Sequence, residues 1–331
     1  MKAAYIEQTG PAESSIQYGD VAKPEPKGSE VLVRVGAVAV NPIDTYLRNG
    51  ANYWELPKPF IIGCDLAGTV EAVGSDAKRF KVGDRVWGSN QGLMGRQGTF
   101  AEYSAADEAW LYPTPSGISD EEAAACALVG ITAHLGLFNR ADLKAGETIF
   151  VNGGTGGVGS MVVQMAKITG ARVIATAGSA EKVAALKKLG VDKAVNYKSD
   201  DIAAAVKAFA PEGVNVYWET VREPDFEEIV SYVAERGRIV LMAGRDAKPP
   251  FPVGPFYVKG CSLLGFVMFK ATAHEQRVCS EDINKWLAAG KLKANISRVL
   301  PLAEAAQAHK LQEESTLQKS GALAGKIVLK P

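Results

Sequence analysis

A glycine-rich segment near the middle of the chain is the part of the sequence most suited to binding a nucleotide. Residues 154–159 follow a short apolar run at 148–152 and precede a stretch with helical periodicity. Glycines in such a turn permit a tight bend, a close approach of the backbone to a pyrophosphate, and close packing of the helix on the sheet. The amides at the helix N-terminus then bind the anion. The predicted cofactor-binding residues of this turn are Gly154, Gly156, Gly157, Val158 and Gly159.

The preference for NAD or NADP is set about twenty residues further along the chain. An acidic residue there binds the ribose 2′-hydroxyl of NAD and repels a 2′-phosphate. This chain instead has Ser179, a small hydrogen-bond donor, and Lys182, a cation, while Tyr197 follows the next predicted strand. All three suit a phosphate, although Lys182 taken alone is more typical of an ordinary solvated helix lysine. Because the acid is missing, the sequence predicts NADPH as the cofactor.

Strands and helices alternate around the glycine-rich segment, as they do in a doubly wound parallel sheet. Beyond the turn, apolar residues recur at the spacing of a helix with one buried face. The alternation predicts an α/β unit with six parallel strands. These strands are expected at 148–152, 172–176, 194–196, 214–218, 238–243 and 262–267.

The two ends of the chain have a different texture. Short β-branched runs at 31–35 and 68–73 are bounded by Gly, Pro and Ser, which is typical of a compact barrel or sandwich. Helices are predicted near the C-terminus at 274–289 and 302–312, followed by a strand at 326–329. We expect that last strand, without a parallel neighbour of its own, to rejoin the N-terminal β unit. That domain would then be discontinuous.

Size and composition exclude several classes of protein. A chain of 331 residues exceeds what one hydrophobic core usually supports, so two domains are expected. Lysine plus arginine and aspartate plus glutamate number 37 each, so the net positive charge that supports binding to nucleic acid or an anionic membrane is missing. No run reaches the roughly eighteen apolar residues that a membrane span needs. The 4 cysteines lie far apart, which favours reduced thiols and a cytoplasmic location.

Several motifs occur in a fixed order along nearly the whole chain. They are VNPIDTYLR (40–48), GCDLAG (63–68), GDRV (83–86), TA (132–133), KAGE (144–147) and VNGGTGGVG (151–159). With these motifs the chain resembles the quinone oxidoreductase (zeta-crystallin-like) branch of the medium-chain dehydrogenase/reductase superfamily. The resemblance implies a GroES-like catalytic domain and a Rossmann NADPH-binding domain, with a cleft between them. The expected boundaries are 1–126 and 269–331 for the catalytic domain and 127–268 for the Rossmann domain.

The resemblance also bears on the metal. Zinc-dependent relatives have a catalytic cysteine where this chain has Asn41, and Gly-His-Glu where it has Gly-Cys-Asp at 63–65. Cys64 with Asp65 is an incomplete ligand set, because zinc needs three or four closely placed ligands. The histidines are scattered, at 134, 274 and 309. We therefore expect no metal, and we interpret Cys64 as a small buried residue.

Without a metal to stabilise an alkoxide, oxidation of an alcohol is difficult, whereas an electrophilic acceptor needs less help. The resemblance therefore implies an NADPH-dependent reductase that transfers hydride to a quinone or another conjugated carbonyl. It places Asn41, Thr132 and the strand end Phe266-Val267-Met268 near the nicotinamide. Gly244 is expected near the cofactor as well. Asn41 and Tyr46 are expected to face the substrate, with Tyr46 as a donor to the developing oxyanion.

Other interpretations stay open. Asn41 before a proline can simply shape a turn, Tyr46 can be a core aromatic, and Asp44 is more typical of a loop anchor than of a base. The segment Trp218-Glu219-Thr220-Val221-Arg222 departs from the family. An enoyl thioester or an alkenal is therefore an alternative acceptor, and a non-catalytic NADPH-binding role is another alternative, because some relatives serve as crystallins or bind RNA.

The oligomeric state follows from the resemblance as well. The apolar strand at 262–268 would be an exposed edge in a monomer. Family members pair that edge across a two-fold axis. We therefore expect a homodimer that acts on a small quinone or enone, without a nucleic-acid or membrane partner.

Overall fold

The structure is a computed structural model that describes residues 1–51, 54–318, 320–321 and 323–331. The chain divides into two compact units. The first combines Met1–Ile131 with Ala271–Pro331, and the second consists of Thr132–Lys270. Both ends of the chain therefore build one unit, and the glycine-rich segment lies in the other.

Strands and helices are numbered along the chain. The N-terminal part forms β1 (Lys2–Ile6), α1 (Ala12–Ser15), β2 (Gln17–Asp20), β3 (Glu30–Val40), α2 (Pro42–Arg48), β4 (Phe60–Ile61), β5 (Leu66–Val73), β6 (Arg85–Gly88), β7 (Tyr103–Asp107), β8 (Leu111–Pro113) and α3 (Asp120–His134). The middle part forms β9 (Thr148–Val151), α4 (Gly157–Thr169), β10 (Arg172–Ala177), α5 (Ala180–Lys188), β11 (Lys193–Asn196), α6 (Ile202–Phe209), β12 (Val214–Glu219), α7 (Phe226–Tyr232), β13 (Val233–Leu241), α8 (Val253–Val258) and β14 (Ser262–Gly265). The C-terminal part forms α9 (Ala273–Ala288), β15 (Ile296–Pro301), α10 (Ala305–Thr316) and β16 (Lys326–Lys330).

The strand β3 is the centre of the first unit. It is rich in valine and alanine, which suit a strand buried on both faces. It pairs antiparallel with β5, β7 and β16 in a sheet whose main path is β15-β16-β3-β5-β6-β8, while β2-β1-β4 form a smaller sheet. The prediction that the last strand rejoins the N-terminal β unit is confirmed. The prediction that it has no parallel neighbour is wrong, because β15 pairs with it in parallel.

The second unit contains one sheet of 6 strands in the order β11-β10-β9-β12-β13-β14. Every neighbouring pair is parallel, which confirms the predicted doubly wound α/β unit. The largest difference in a boundary is that β13 begins at Val233, directly after α7, rather than at residue 238. The last strand, β14, ends at Gly265 rather than at residue 267. The strand β9 lies between β10 and β12, so the segments that follow these three strands meet at one edge of the sheet.

One helical segment meets the length and composition of a membrane span. It comprises Asp120–Arg140, 21 residues, and the sequence analysis did not detect it because polar residues interrupt its apolar runs. In the fold, 78% of its most apolar window is buried. A core helix has these properties too, so the segment is weak evidence for a membrane.

Candidate functional site

The glycine-rich turn connects the end of β9 to the start of α4. Packing requires two of its glycines: a Cβ on Gly154 would lie 2.9 Å from the Cβ of Ala175, and one on Gly159 would lie 2.2 Å from the carbonyl oxygen of Gly153. At Gly156, by contrast, the nearest atom to a Cβ would be 3.5 Å away. The turn is therefore tightly packed behind Gly154 and Gly159 and open at Gly156, where a ligand could approach the backbone.

The N-terminus of α4 is suited to an anion. The helix has 13 residues and begins at Gly157 after the N-cap residue Gly156, without a side-chain cap. All residues of its first turn are described, and none is acidic. Amide groups and partial positive charge therefore accumulate at this end. The residues present fit the pyrophosphate of a dinucleotide.

The segments after β10 and β11 bring together the side chains predicted to select the cofactor. Ser179 is the N-cap of α5, and its Oγ accepts the N–H of Lys182 at 3.3 Å. The ring of Tyr197 lies beside Gly178, where a Cβ would be 2.4 Å from the tyrosine hydroxyl oxygen. Burial lowers the pKa of Lys182, and so does the neighbouring charge of Lys198. Two cations near a serine and a phenol suit a phosphate group.

The remaining predicted cofactor residues, Thr132, Gly244 and residues 266–268, all lie in the second unit. Gly244 has a φ of 85°, in the left-handed region that favours glycine. Phe266 is half-buried, Val267 is 37% exposed, and Met268 and Thr132 are buried. Their contact with a nicotinamide stays a prediction.

Asn41, in the first unit, directly follows β3 and is completely buried. Its Nδ2 donates to Asp65 Oδ2 at 2.8 Å, and its Oδ1 accepts a hydrogen bond from the Lys326 ammonium. Its backbone N–H donates to Asp44 Oδ2 at 2.7 Å. Asn41 thus belongs to a buried polar network and begins a helix. A direct role toward a substrate stays a prediction.

Asp65 is the best-connected member of this network. It is completely buried, and its Oδ1 accepts from Ser89 Oγ at 2.7 Å and from the Leu128 N–H at 3.1 Å. The Nζ of Lys326 lies 3.8 Å from Asp65 Oδ2 and donates to the Val40 carbonyl at 2.7 Å. Lys326 itself is 4% exposed. This buried carboxylate is therefore paired with a cation and supplied with donors, as a buried charge must be.

Cys64 and Asp44 form the second part of the network. Cys64 Sγ donates to Asp44 Oδ1 at 2.9 Å. Burial raises the pKa of the Cys64 thiol well above its ordinary value, and the charges of Asp44 and Asp65 act in the same direction. Burial likewise raises the pKa of Asp44 to about 7. The Cys64 thiol donates to Asp44, and the Lys326 ammonium donates to Asn41 Oδ1, so the potential ligand atoms around Asn41 are hydrogen-bonded to one another, and among the described residues they form no ligand group for zinc.

The helix α2 carries both Asp44 and Tyr46. Pro42 stands at its first turn, where a missing N–H is tolerated. At the other end, the buried Arg48 donates to the Gly10 carbonyl and pairs with Glu313. Buried charged residues therefore fix α2 at both ends, and Tyr46 between them is half-buried. Its predicted role as a donor stays a prediction.

Sequence reasoning missed the partners of several of these residues. Lys326 begins the strand β16, KIVLK, which ends in a second lysine, Lys330, so the sequence offers no signal that tells the buried lysine from the exposed one. Asn152, Thr176 and Glu219 form a hydrogen-bonded group beside the glycine-rich turn. Across the part of the chain that the structure describes, no group of three or more His, Cys, Asp or Glu residues is arranged to hold a metal ion.

Known families and relatives agree with this architecture. The model described as "Alcohol dehydrogenase GroES-like domain" matches residues 27–116, and "Zinc-binding dehydrogenase" matches residues 157–285. Together with the fold, they define an oxidoreductase of the medium-chain dehydrogenase/reductase class. The quinone oxidoreductase of Sus scrofa is 32% identical over 323 residues, which cover 97% of this chain and 94% of that protein. The chain belongs to the quinone oxidoreductase branch of this superfamily.

Solved structures give the same result for the fold. A structure described as an NAD-dependent alcohol dehydrogenase superposes with a TM-score of 0.89 at 31% identity, over 100% of both chains. A mycobacterial protein complexed with NADPH gives 0.87 at 30% identity, again over 100% of both chains. The predicted GroES-like and Rossmann architecture is confirmed. Both descriptions include a nicotinamide cofactor, and they differ in which one.

Proposed function

We propose that this enzyme is a zinc-independent, NADPH-dependent reductase that transfers hydride to a quinone or another conjugated carbonyl compound. The observation that carries the cofactor choice is the segment after β10, where Ser179 and Lys182 stand in place of an acid and the charge of Lys198, after β11, acts on Lys182. The acceptor class is supported by the name of the curated relative, a quinone oxidoreductase.

When bound, the reduced nicotinamide supplies a hydride from its C4. The amides at the start of α4 would hold the pyrophosphate, with Gly156 leaving room for it. The Ser179 hydroxyl, the Lys182 ammonium and the Tyr197 phenol would hold the 2′-phosphate. Thr132, Gly244 and residues 266–268 are the residues proposed for the rest of the cofactor.

At the acceptor, Tyr46 would donate its hydroxyl hydrogen to the carbonyl oxygen as negative charge develops there. Asn41 already donates to Asp65 and accepts from Lys326, so it would act mainly by holding the start of α2 and thereby Tyr46. Zinc independence is supported by the chemistry of the donors. The Cys64 thiol donates to Asp44 Oδ1, and an ammonium already occupies the acceptor oxygen of Asn41.

The proposal also covers the domain boundaries, the oligomeric state and the location of the protein in the cell. We propose that the first unit is the catalytic domain and the second the cofactor-binding domain, near the boundaries 1–126, 127–268 and 269–331. The edge strand β14 and the helix α8 expose apolar side chains, with Leu263 at 40% and Tyr257 at 68%, which supports a homodimer. The balance of 37 basic and 37 acidic residues supports the absence of a nucleic-acid or membrane partner. Light scattering should give twice the monomer mass. Cell fractionation should find the protein in the cytoplasm.

The activity is tested by following NADPH and NADH absorbance with a benzoquinone, a naphthoquinone, an alkenal and an enoyl-CoA. We expect NADPH oxidation with the quinones, and NADH to be much less effective. Oxidation with the enoyl-CoA alone would favour an enoyl-thioester reductase. Binding of NADPH without oxidation by any acceptor would favour a non-catalytic role and contradict the proposal.

Lys182→Met sharpens the cofactor part of this test. Loss of a charge-assisted contact to phosphate should raise the Kd for NADPH by about tenfold and leave that for NADH unchanged. Lys187→Met is the matched control, because this exposed lysine lies in the last turn of the same helix, α5. Equal effects of Lys182→Met on NADPH and NADH would show that this lysine does not bind the 2′-phosphate.

A further inference from the structure

Four residues tie the glycine-rich turn to the strands on both sides of β9. We call this group the Asn152 clamp; its members are Asn152, Gly153, Thr176 and Glu219. Asn152 Nδ2 lies 3.1 Å from each carboxylate oxygen of Glu219, to which it donates, and Asn152 Oδ1 accepts from the Thr176 hydroxyl at 2.8 Å. Thr176 Oγ1 in turn accepts the Gly153 N–H at 2.9 Å. Side chains of β10 and β12 therefore fix the path along which the chain leaves β9.

The same segment is crowded by the chain that follows β12. Thr220 Oγ1 donates to the carbonyl oxygen of Asn152 at 2.5 Å. Gly153 has a φ of 81°, and a Cβ there would lie 2.4 Å from Thr220 Oγ1. A displacement of Asn152 would therefore also displace the backbone that leads to the amides at the start of α4.

Glu219 is the charged member of the clamp. It is 2% exposed and accepts hydrogen bonds from the Asn152 amide and, at 2.6 Å, from the Val221 N–H. Within the described part of the chain, no lysine or arginine forms an ion pair with it. Burial raises the pKa of Glu219 to about 7, and the charge of Glu228 on α7 acts in the same direction. The other titratable neighbour, Tyr217, stays neutral because burial raises its pKa well above the ordinary value.

We propose that Glu219 is a positioning residue for the cofactor: it holds the turn through Asn152 and takes up a proton from solvent when a pyrophosphate binds there. This inference rests on the proposed function, because it requires a dinucleotide at the turn. A carboxylate and a pyrophosphate repel each other strongly in a region of low dielectric constant, and protonation removes one of the two charges. Only an O–H bond forms, and nothing is oxidised or reduced.

The clamp persists in the protonated form. A neutral carboxyl keeps a carbonyl oxygen that accepts hydrogen bonds from Asn152 and Val221. Because binding and protonation are linked, the protonated protein binds the cofactor more tightly than the ionised protein does. The affinity for the cofactor should therefore fall as the pH rises through neutrality.

The test is calorimetric titration of the full-length protein with NADPH, in two buffers of different ionisation enthalpy. This measurement gives both the Kd and the number of protons taken up. For the wild type we expect fractional proton uptake at pH 7.5. We also expect a Kd that is about tenfold lower at pH 6 than at pH 9, which corresponds to one pKa unit of coupling.

Glu219→Gln should abolish the proton uptake and flatten the pH dependence relative to the wild type. Titration of the 2′-phosphate is common to all variants and cancels in this comparison. Glu235→Gln is the matched control, because it removes an exposed carboxylate from the same unit. It should bind NADPH as the wild type does.

Thr176→Val tests positioning without a change of charge, because it removes the hydroxyl that Asn152 and Gly153 share and keeps the shape. We expect about tenfold weaker NADPH binding at every pH with unchanged proton uptake. Glu219→Gln keeps an acceptor oxygen and resembles the protonated form, so its KM for NADPH should not exceed that of the wild type. In steady-state assays, the KM for NADPH should rise for Thr176→Val, while the KM for the quinone stays constant. A general structural defect would not separate the two constants in this way.

A second measurement applies if Glu219→Gln does not fold. The wild type is then titrated with NADH, which has no group that titrates between about pH 6 and 9, and proton uptake must persist. Equal uptake in the wild type and Glu219→Gln, or none with NADH, overturns the inference and leaves the proposed function standing. A wild-type protein that binds neither dinucleotide overturns the proposed function itself.

Discussion

Each unit of the molecule buries a carboxylate whose oxygens accept hydrogen bonds from an asparagine side chain, and these two carboxylates, Asp65 and Glu219, have different neighbours. Asp65, next to Asn41, has the Lys326 ammonium 3.8 Å from its Oδ2 and further donors around it. Glu219, next to the glycine-rich turn, accepts hydrogen bonds from the amide of Asn152 and from the backbone N–H groups of Val221 and Thr220. Their exposed fractions are 0% and 2%, so the two differ in their partners rather than in burial.

This difference separates a structural charge from a responsive one. Burial raises the pKa of Asp65, but the charge of Lys326 opposes this effect, as do hydrogen bonds from Asn41 and Ser89. For Glu219 only hydrogen bonds oppose burial, and its pKa rises to about 7. A cation beside a buried carboxylate favours the ionised form of that carboxylate, whereas a buried carboxylate without a cation responds more readily to protons and to approaching anions.

Removal of the Lys326 ammonium should change the free energy of unfolding more than any other substitution proposed here. Lys326→Met keeps the apolar stem of the side chain but leaves Asp65 buried without an ammonium, and it should lower the free energy of unfolding by about 3–5 kcal/mol. Urea denaturation followed by circular dichroism measures this loss. Lys330→Met is the control on the same strand, since Lys330 pairs with Glu121 while 51% exposed, and about 0–1 kcal/mol is expected. Similar losses in both variants would mean that Asp65 does not need its cation.

The contrast between the surroundings of Asp65 and those of Glu219 also explains which features could be predicted from the sequence. The six-stranded sheet and the glycine-rich turn follow from local patterns, namely the alternation of strands with helices and the spacing of Gly154, Gly156 and Gly159. The pairing of Lys326 with Asn41 spans 285 positions and exists only because β16 pairs with β3. Periodicity carries no information about such a long-range contact.

The same limit applies beside the turn. Glu219 reaches Asn152 because β9 lies between β10 and β12, an order that the sequence alone does not specify. Ser179 was predicted as a phosphate donor from its position, but its role as the cap of α5 depends on where that helix begins. Asn41 shows a third limit, because its side chain could be interpreted as shaping a turn until α2 and the buried acids around it were known.

The dependence of the free energy of unfolding on pH provides a second test of the difference between Asp65 and Glu219, and the expected change is smaller than that for Lys326→Met. The pKa of Glu219 is about 7 in the folded protein against an ordinary value of 4.5. Between these values the folded protein keeps a proton that the unfolded chain has released, so this group lowers stability as the pH rises through the window, and the loss is constant above it. The stability of Glu219→Gln relative to the wild type should therefore increase across this window by up to about 3 kcal/mol.

The midpoint of urea denaturation, measured for both proteins at several pH values between about 5 and 8, checks this prediction. Asp44, whose pKa is also raised to about 7, contributes equally in both proteins and cancels in the difference. A difference that stays constant over the whole range would show that Glu219 is ionised throughout, like a carboxylate with its own cation. Asp65 and Glu219 would then not differ in how they respond to pH.

The smallest expected effect concerns a single hydroxyl on the structural side of the comparison. Ser89→Ala removes a buried hydrogen bond that ends on the Asp65 carboxylate, and it should lower the free energy of unfolding by about 1.5 kcal/mol, the lower end for bonds to charged groups, because other donors remain. Ser280→Ala is the matched control, since this equally buried serine donates to the neutral carbonyl of Arg277 at 2.6 Å. A loss of about 0.5–1 kcal/mol is expected there. The Ser89 hydrogen bond is expected to be stronger than the Ser280 hydrogen bond because its acceptor, Asp65, is ionised. A larger loss for Ser280→Ala than for Ser89→Ala would therefore mean that the Asp65 carboxylate is neutral in the folded protein.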